Sequence, residues 1–431
     1  MKPWGRKMKR KHIKYAVFAA AGGAALAGTA AKKLATKDEV FLITEDDGKS
    51  GVPMVLVHGL GGWGEGSTLD TKLPHWGLMA GSIKNYLAEF GYDAYAASVN
   101  PVTSTWDRAC ELYAHLTGAR TDYGAAHAKA YGHDRYGPIY EKLGPDWPNQ
   151  KIHLVAHSFG GATVRLLAQL CAEGCAEERA ATPEGELSPL FSGNLGGSIA
   201  SITTLASPHN GTTAMSTPVK GAGISLLEGM IYSLMAANIV SPGIRGFYPC
   251  ILEQYGITGG TGLRGAWKQS VALAQSDENA KCDTSIDGAA IVNRGIECRP
   301  DIYYFSYAGD ITHERSEGHR LPNAAAFSPI TAEPALRMGQ QRLQRVTPGG
   351  VEVNERWLPN DGQVNTISAL YPFGEPHRDY DPADVRPGAW QVMPVVKNWD
   401  HYDFVGGFRV GGTKGVKAFY LSMARMLDQL A

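Results

Sequence analysis

The sequence predicts an α/β fold: a mostly parallel central sheet with helices on both faces. Three observations carry that expectation. Short apolar runs recur at 51–57, 92–99, 152–156, 199–205 and 302–307. They are nearly continuous rather than alternating, as strands buried on both faces are. Helical patterns fall between them, at 82–90 and after Ser158, and a last one spans 416–430. Strand–helix alternation of this kind builds a parallel sheet, and sites on such sheets lie beyond the carboxyl ends of the strands.

Composition narrows the class. At 431 residues, 44% of them hydrophobic, the chain can bury a large core. The formal net charge is -1, so no global field draws in nucleic acid. The amino end differs from the rest. Residues 2–14 are crowded with lysine and arginine, 15–31 carry no charge, and Gly28-Thr29-Ala30-Ala31 is a run of small residues. A basic, then apolar, then small-residue order reads as a secretory leader over 1–36, with one domain over 37–431. The uncharged run is short and weakly apolar for a spanning helix. Membrane tethering by an uncleaved leader is the alternative. Six cysteines permit disulfides in an exported chain. Cys171 with Cys175 and Cys282 with Cys298 are plausible bridges, and free buried thiols are nearly as good a description.

The chemistry starts at Ala156-His157-Ser158-Phe159-Gly160. It follows an apolar strand and precedes a helix, the context of a serine on a sharp turn with its hydroxyl exposed above the strand end. The usual form is Gly-x-Ser-x-Gly, and alanine is a small departure at a position that needs a small side chain. An N-capping serine on a buried helix explains the pentapeptide alone about equally well. An activated serine also needs a base, an orienting acid and an oxyanion hole. His401, in a polar loop before the last helix, is the natural base, and His377 is its rival. For the acid, Asp310 closes a strand and Asp361 lies in a turn, and periodicity does not separate them. The amide after the serine, at Phe159, would be one oxyanion donor. A second would come from the glycine loop His58-Gly59-Leu60-Gly61-Gly62, at Leu60. Asp107, His127 and His133 also fall close together in sequence, a donor set that suits zinc, although solvated loop histidines are the default for such spacing.

Taken in order, these segments resemble the bacterial true lipases of the thermophilic Bacillus and staphylococcal group, which have the α/β-hydrolase fold. The likeness runs from about Val52 to the end. It rests on Val55-Leu56-Val57-His58-Gly59-Leu60-Gly61-Gly62-Trp63-Gly64, Trp106-Asp107-Arg108-Ala109-Cys110-Glu111 and Asp122-Tyr123-Gly124-Ala125-Ala126-His127. It also rests on the serine segment with its alanine, on Ala206-Ser207-Pro208-His209-Asn210-Gly211-Thr212-Thr213, on Asn360-Asp361-Gly362-Gln363-Val364-Asn365-Thr366 and on Trp399-Asp400-His401. The resemblance implies Ser158, Asp361 and His401 as the triad, which favours Asp361 over Asp310. It implies a structural zinc held by Asp107, His127, His133 and Glu253, in an insertion at about 101–145. Glutamate stands at 253 where the family has aspartate. It also implies a helical lid at about 212–260, a strongly apolar stretch otherwise readable as core. Asp403 matches one carboxylate of the family's calcium site, but Gly406-Gly407-Phe408-Arg409 replaces its aspartate–proline pair, which counts against calcium.

The expected protein is a secreted ester hydrolase, a triacylglycerol lipase working on lipid at an oil–water interface, with no stable protein partner implied. A short-chain esterase or phospholipase on the same fold is the near alternative. A lipid-binding protein with an inactive triad is the distant one.

Overall fold

The computed structural model describes residues 50–216, 252–257, 273, 275–315, 318–324, 326, 328, 330–341, 345–408 and 412–430. The expected leader over 1–36 and most of the segment expected to form a lid lie outside them. A seven-stranded sheet crosses the molecule. Its strands are β1 (Met54–Val57), β2 (Ala94–Ala97), β3 (Ile152–His157), β4 (Ile199–Leu205), β5 (Tyr303–Tyr307), β6 (His377–Asp379) and β7 (Trp390–Val392). Their spatial order is β6-β7-β5-β4-β3-β1-β2, and every pairing is parallel. The helices used below are α1 (Ile83–Glu89), α2 (Thr105–Thr117), α3 (Ala125–Tyr131), α4 (Gly160–Glu173) and α5 (Val416–Asp428).

The pleat divides the core in two. Val55 and Val57 of β1, with Leu154 and Ala156 of β3, face one side, where they meet Ala109 and Leu112 of α2 and Val164 and Leu167 of α4. Met54, Leu56 and Val155 face the other, against Leu87 of α1 and Phe419 and Leu427 of α5. Successive strand residues point to opposite faces, so an unbroken apolar run supplies both cores at once. The helices begin where the sequence offers a cap: Ser82 accepts from the Asn85 amide at 3.2 Å, and Ser104 from the Asp107 amide at 3.1 Å.

The five expected strands all form, with ends shifted by up to two or three residues. Two strands had no visible sequence signal. β6 and β7 are three residues each, too short to show a period of two, and the β6 sequence His377-Arg378-Asp379 is polar because it lies at the sheet edge. The disulfide expectation is corrected. Cys171, Cys175, Cys282 and Cys298 are all free, as is Cys110. Cys171 is buried on α4, whereas Gly174 ends that helix at φ +66° and turns the chain, leaving the Cys175 thiol on the Glu177 carboxylate at 3.3 Å. No helix among the described residues is long and apolar enough to cross a membrane.

The approach of β1 to α4 generates one test. A Cβ at Gly160 would run into the Val57 carbonyl oxygen, a backbone atom that cannot rotate away. Gly160→Ala is therefore expected to lose about 1–3 kcal/mol of stability by overpacking, read by chemical denaturation. Unchanged stability would mean that strand and helix are not pressed together here.

Candidate active site

Ser158 stands between the end of β3 and the start of α4, with φ at +56°. Left-handed backbone is costly for a residue with a side chain, so the surroundings must impose it. The serine amide donates to the Leu205 carbonyl at the end of β4, 2.9 Å away, and its carbonyl accepts from the Gly161 amide at 3.0 Å. Glycines clear the space around it. A Cβ at Gly59 would lie 2.6 Å from Ser158 Cβ, and one at Gly161 would strike the Ser207 hydroxyl. The resulting turn lifts the hydroxyl above the strand ends.

The His401 ring closes a chain of hydrogen bonds. Its Nε2 is 2.9 Å from Ser158 Oγ, and its Nδ1 is 2.9 Å from Asp361 Oδ2. A carboxylate only accepts, so Nδ1 carries the proton and the neutral ring turns a lone pair towards the serine. Asp361 Oδ1 is occupied by the amides of Gln363 at 2.9 Å and Val364 at 2.7 Å, which hold the carboxylate in place. The His401 amide donates to the Asp361 carbonyl at 3.0 Å, tying the two loops together. All three side chains are buried: Ser158 is 8% exposed, His401 2% and Asp361 1%.

The other sequence candidates are used elsewhere. Asp310 Oδ1 accepts from the Thr312 amide at 2.8 Å, and its Oδ2 takes the Lys397 ammonium at 2.8 Å and Arg320 at 3.2 Å. His377 is exposed and stacks on Tyr371. Asp403 accepts from the Asp400 amide at 2.7 Å and from the Thr413 hydroxyl, so its carboxylate works inside the loop that carries His401. Asp400 secures the same loop, accepting from the Ser328 amide and the Thr331 hydroxyl, each at 2.8 Å.

Phe159 follows the serine, and the glycine loop approaches it at Gly59, the residue before Leu60. Among the described residues neither the Leu60 nor the Phe159 amide is paired with a backbone carbonyl. Two further residues shape this region, and sequence reasoning had passed over them. His157 is fully buried, and burial holds its imidazole well below the usual range. Its Nε2–H donates to the His401 carbonyl at 2.8 Å. Arg108, also fully buried, donates from Nε to the Thr163 hydroxyl at 3.0 Å, from one terminal nitrogen to the Asn100 carbonyl at 2.5 Å, and from the other to the His58 carbonyl. Its guanidinium lies 5.0 Å from the centre of the Phe159 ring. One side chain on α2 thus joins the glycine loop, α4 and the residue after Ser158. Both residues lie inside quoted motifs, but a buried arginine or histidine looks the same in sequence as a solvated one.

Asp107, His127 and His133 meet beside α2, each offering one donor atom within 4.8 Å of the others. His127 Nε2 is 3.6 Å from Asp107 Oδ1, and His133 Nε2 is 4.0 Å from the same oxygen. Asp107 Oδ1 and His133 Nε2 are buried with no hydrogen-bond partner. Two bare buried polar atoms facing each other are costly unless a cation lies between them, so the donor set fits a metal. Its outer partners are in place. His133 Nδ1–H donates to the Asp134 carbonyl at 2.9 Å, which leaves Nε2 as a lone pair, and Tyr255 donates to Asp107 Oδ2 at 2.7 Å. Burial alone would lower the His127 imidazole, but the Asp107 and Glu278 carboxylates beside it push it up to about 9, a field that favours positive charge. Glu253 is not brought into this group. Its side chain is exposed, while its neighbours Gln254 and Tyr255 turn inward to Asp107.

A parallel sheet with a serine, a histidine and an aspartate hydrogen-bonded in series at its strand ends has the architecture of serine hydrolases. The chain belongs to the family of lipase-like C-terminal domains, whose model matches residues 50–427. It is 37% identical over 360 residues to lipase 1 of Staphylococcus aureus, a match covering 82% of this chain and 50% of that protein. The chain thus spans about half the length of the curated relatives it matches. Among solved structures it is similar to Staphylococcus hyicus lipase, with 31% identity, a TM-score of 0.77, and coverage of 90% of this chain and 98% of the other. It is also similar to lipase 1 from Pelosinus fermentans, with 36% identity, a TM-score of 0.71, and coverage of 88% and 99%.

Arg108 offers the sharpest test of this arrangement. Arg108→Met strands the carbonyls of His58 and Asn100 inside the core, and each unpaired buried acceptor costs about 1–3 kcal/mol. The variant is expected to lose at least about 2 kcal/mol of stability, read by chemical denaturation. A loss below about 0.5 kcal/mol, the range of ordinary surface substitutions, would mean the guanidinium is not the tie between these loops.

Proposed function

We propose that the protein is a secreted lipase that hydrolyses triacylglycerol esters through an acyl-enzyme on Ser158. The observation that carries this is the His401 imidazole held at 2.9 Å from both Ser158 Oγ and Asp361 Oδ2. Family membership supports the substrate class. So does the buried apolar cluster of Leu69, Val102, Met215 and Leu252, against which Leu60 of the glycine loop packs. An acyl chain entering beside the oxyanion donors would meet that surface.

The steps follow from the geometry. His401 Nε2 takes the proton from Ser158 Oγ as the oxygen bonds to the ester carbonyl carbon. The carbonyl oxygen becomes an anion and is held by the amides of Leu60 and Phe159. The C–O bond to the alcohol breaks, and the alcohol leaves with the proton from His401. Water then gives a proton to His401 and attacks the acyl-enzyme, and the acid leaves as Ser158 recovers its proton. Asp361 holds the ring's tautomer and stabilises the imidazolium. His157, through the His401 carbonyl, positions the ring. The segment expected to form a lid falls almost wholly outside the described residues, and its gating role rests on the family resemblance.

Asp107, His127 and His133 would hold a zinc ion whose work is structural. Bound there, the metal supplies two positive charges to a buried set of donors and links α2 to α3 and the turn after it, away from the Ser158 hydroxyl. Secretion is supported by the basic, apolar, small-residue order of the first residues.

Ser158→Ala should lower kcat on emulsified triacylglycerol by on the order of a million-fold with folding unchanged. Asp361→Asn should lower it by on the order of ten thousand-fold, whereas Asp310→Asn should move stability and leave kcat within a few-fold. If Asp310→Asn abolished activity and Asp361→Asn did not, the acid would be reassigned. A graded series of soluble and emulsified esters separates a lipase from a short-chain esterase. Removing metal with a strong chelator should lower the thermal midpoint by roughly 5 °C or more, with recovery on adding zinc. A chelator-treated protein that melts with the untreated one would count against a structural metal.

A further inference from the structure

We infer that Glu278, rather than Glu253, supplies the fourth ligand to the metal held by Asp107, His127 and His133. This rests on the structural-metal reading above and names a donor that the family pattern does not predict.

The position of one nitrogen carries the inference. His127 Nε2 is the atom that faces Asp107 Oδ1 at 3.6 Å, and the same atom lies 3.1 Å from Glu278 Oε1. A cation bound to that nitrogen is therefore flanked by both carboxylates. A tetrahedral zinc ion with arms of about 2.0–2.1 Å has ligand-to-ligand edges of roughly 3.3–3.4 Å. The separations of 3.1, 3.6 and 4.0 Å lie around that value, whereas the Glu278 carboxylate stands outside the set of Asp107, His127 and His133 atoms that all lie within 4.8 Å of one another. Glu278 stands at the margin of the group, in reach of His127, and would swing its carboxylate inward from there.

Burial and charge agree. Glu278 is 4% exposed, and a buried carboxylate requires a positive partner. Two neutral imidazoles with Asp107 alone would leave a divalent ion with a net charge of +1 in the interior. Adding Glu278 brings the site to zero, which removes the cost of an uncompensated buried charge. Glu278 is also well seated. Its amide donates to Ser276 Oγ at 3.3 Å, and Asn279 Nδ2 ties the turn to the carbonyls of Leu273 and Ser276 at 2.8 and 2.7 Å. The Ala280 amide then fastens it to the Val102 carbonyl at 3.0 Å. Glu253, by contrast, is exposed on a turn whose next two residues already serve Asp107. The division is coherent: the turn at 253–255 steadies Asp107 from outside, and the turn at 276–279 completes the ligand set.

The test compares the full chain with its Glu278→Gln and Glu253→Gln variants. Each is stripped of metal and titrated with zinc against a chromophoric chelator, and melting is followed with and without zinc. Loss of an outer hydrogen-bonding partner weakens metal affinity by roughly 10–100-fold. Glu278→Gln should exceed that and lose the zinc-dependent rise in melting temperature, while Glu253→Gln should stay within about tenfold of the parent, inside the outer-partner range. The reverse ranking, or two variants that both bind like the parent, would overturn the inference. A parent that takes up no zinc would instead defeat the metal reading on which it rests. Should Glu278→Gln fail to fold, Glu278→His read with cobalt in place of zinc keeps the question open to refutation. Exchanging an oxygen for a nitrogen ligand should shift the visible cobalt bands, and a spectrum identical to the parent's would exclude Glu278 from the ligand set.

Discussion

The left-handed backbone at Ser158 is the constraint on which the rest of the site depends. It raises the hydroxyl out of the sheet, but only because neighbouring segments come close enough to hold it there. Gly59 approaches within contact of the serine's own Cβ, Gly160 packs against the end of β1, and Gly161 packs against Ser207 after β4. Strain of this kind costs on the order of 1–3 kcal/mol and persists only where the surroundings over-determine it. The same closeness brings the glycine loop, at Gly59, against the serine. Turn, glycine loop and strand ends are thus one packing solution.

The second organising element is α2. It carries Asp107 into the metal-ligand group and, one residue on, Arg108 into the core beneath the glycine loop. The two side chains leave the helix in different directions and meet opposite demands: one needs a cation, and the other supplies one. A shift of α2 would therefore be felt at His58 and Phe159 through the guanidinium. The Asp107, His127 and His133 cluster thus draws on the same helix that Arg108 ties to the glycine loop.

The loop that carries His401 is held by a different device. Asp400 and Asp403 cap it from within, using backbone amides and the hydroxyls of Thr331 and Thr413. The carboxylate that resembles part of a calcium site serves here as a ligand for its own chain. With Asp361 tied to the His401 amide and His157 tied to the His401 carbonyl, the ring is fixed from both sides of its backbone.

Much of this was legible in the residues. Continuous apolar runs marked the buried strands because a strand covered on both faces needs no polar side, and small residues around Ser158 marked a turn that only small residues can make. Local chemistry of this type is written in neighbouring positions, so the sequence by itself determined the parallel sheet, the serine turn and the glycine loop. Periodicity did not separate Asp310 from Asp361, both aspartates at the end of a local element, and the resemblance to the lipases favoured Asp361. In the tertiary structure Asp310 meets Lys397 and Arg320, and Asp361 meets His401. Tertiary structure alone decided that the paired cysteines stay apart and that Glu278 rather than Glu253 faces His127. These choices depend on which distant segments meet, and spacing along the chain carries no record of direction in space.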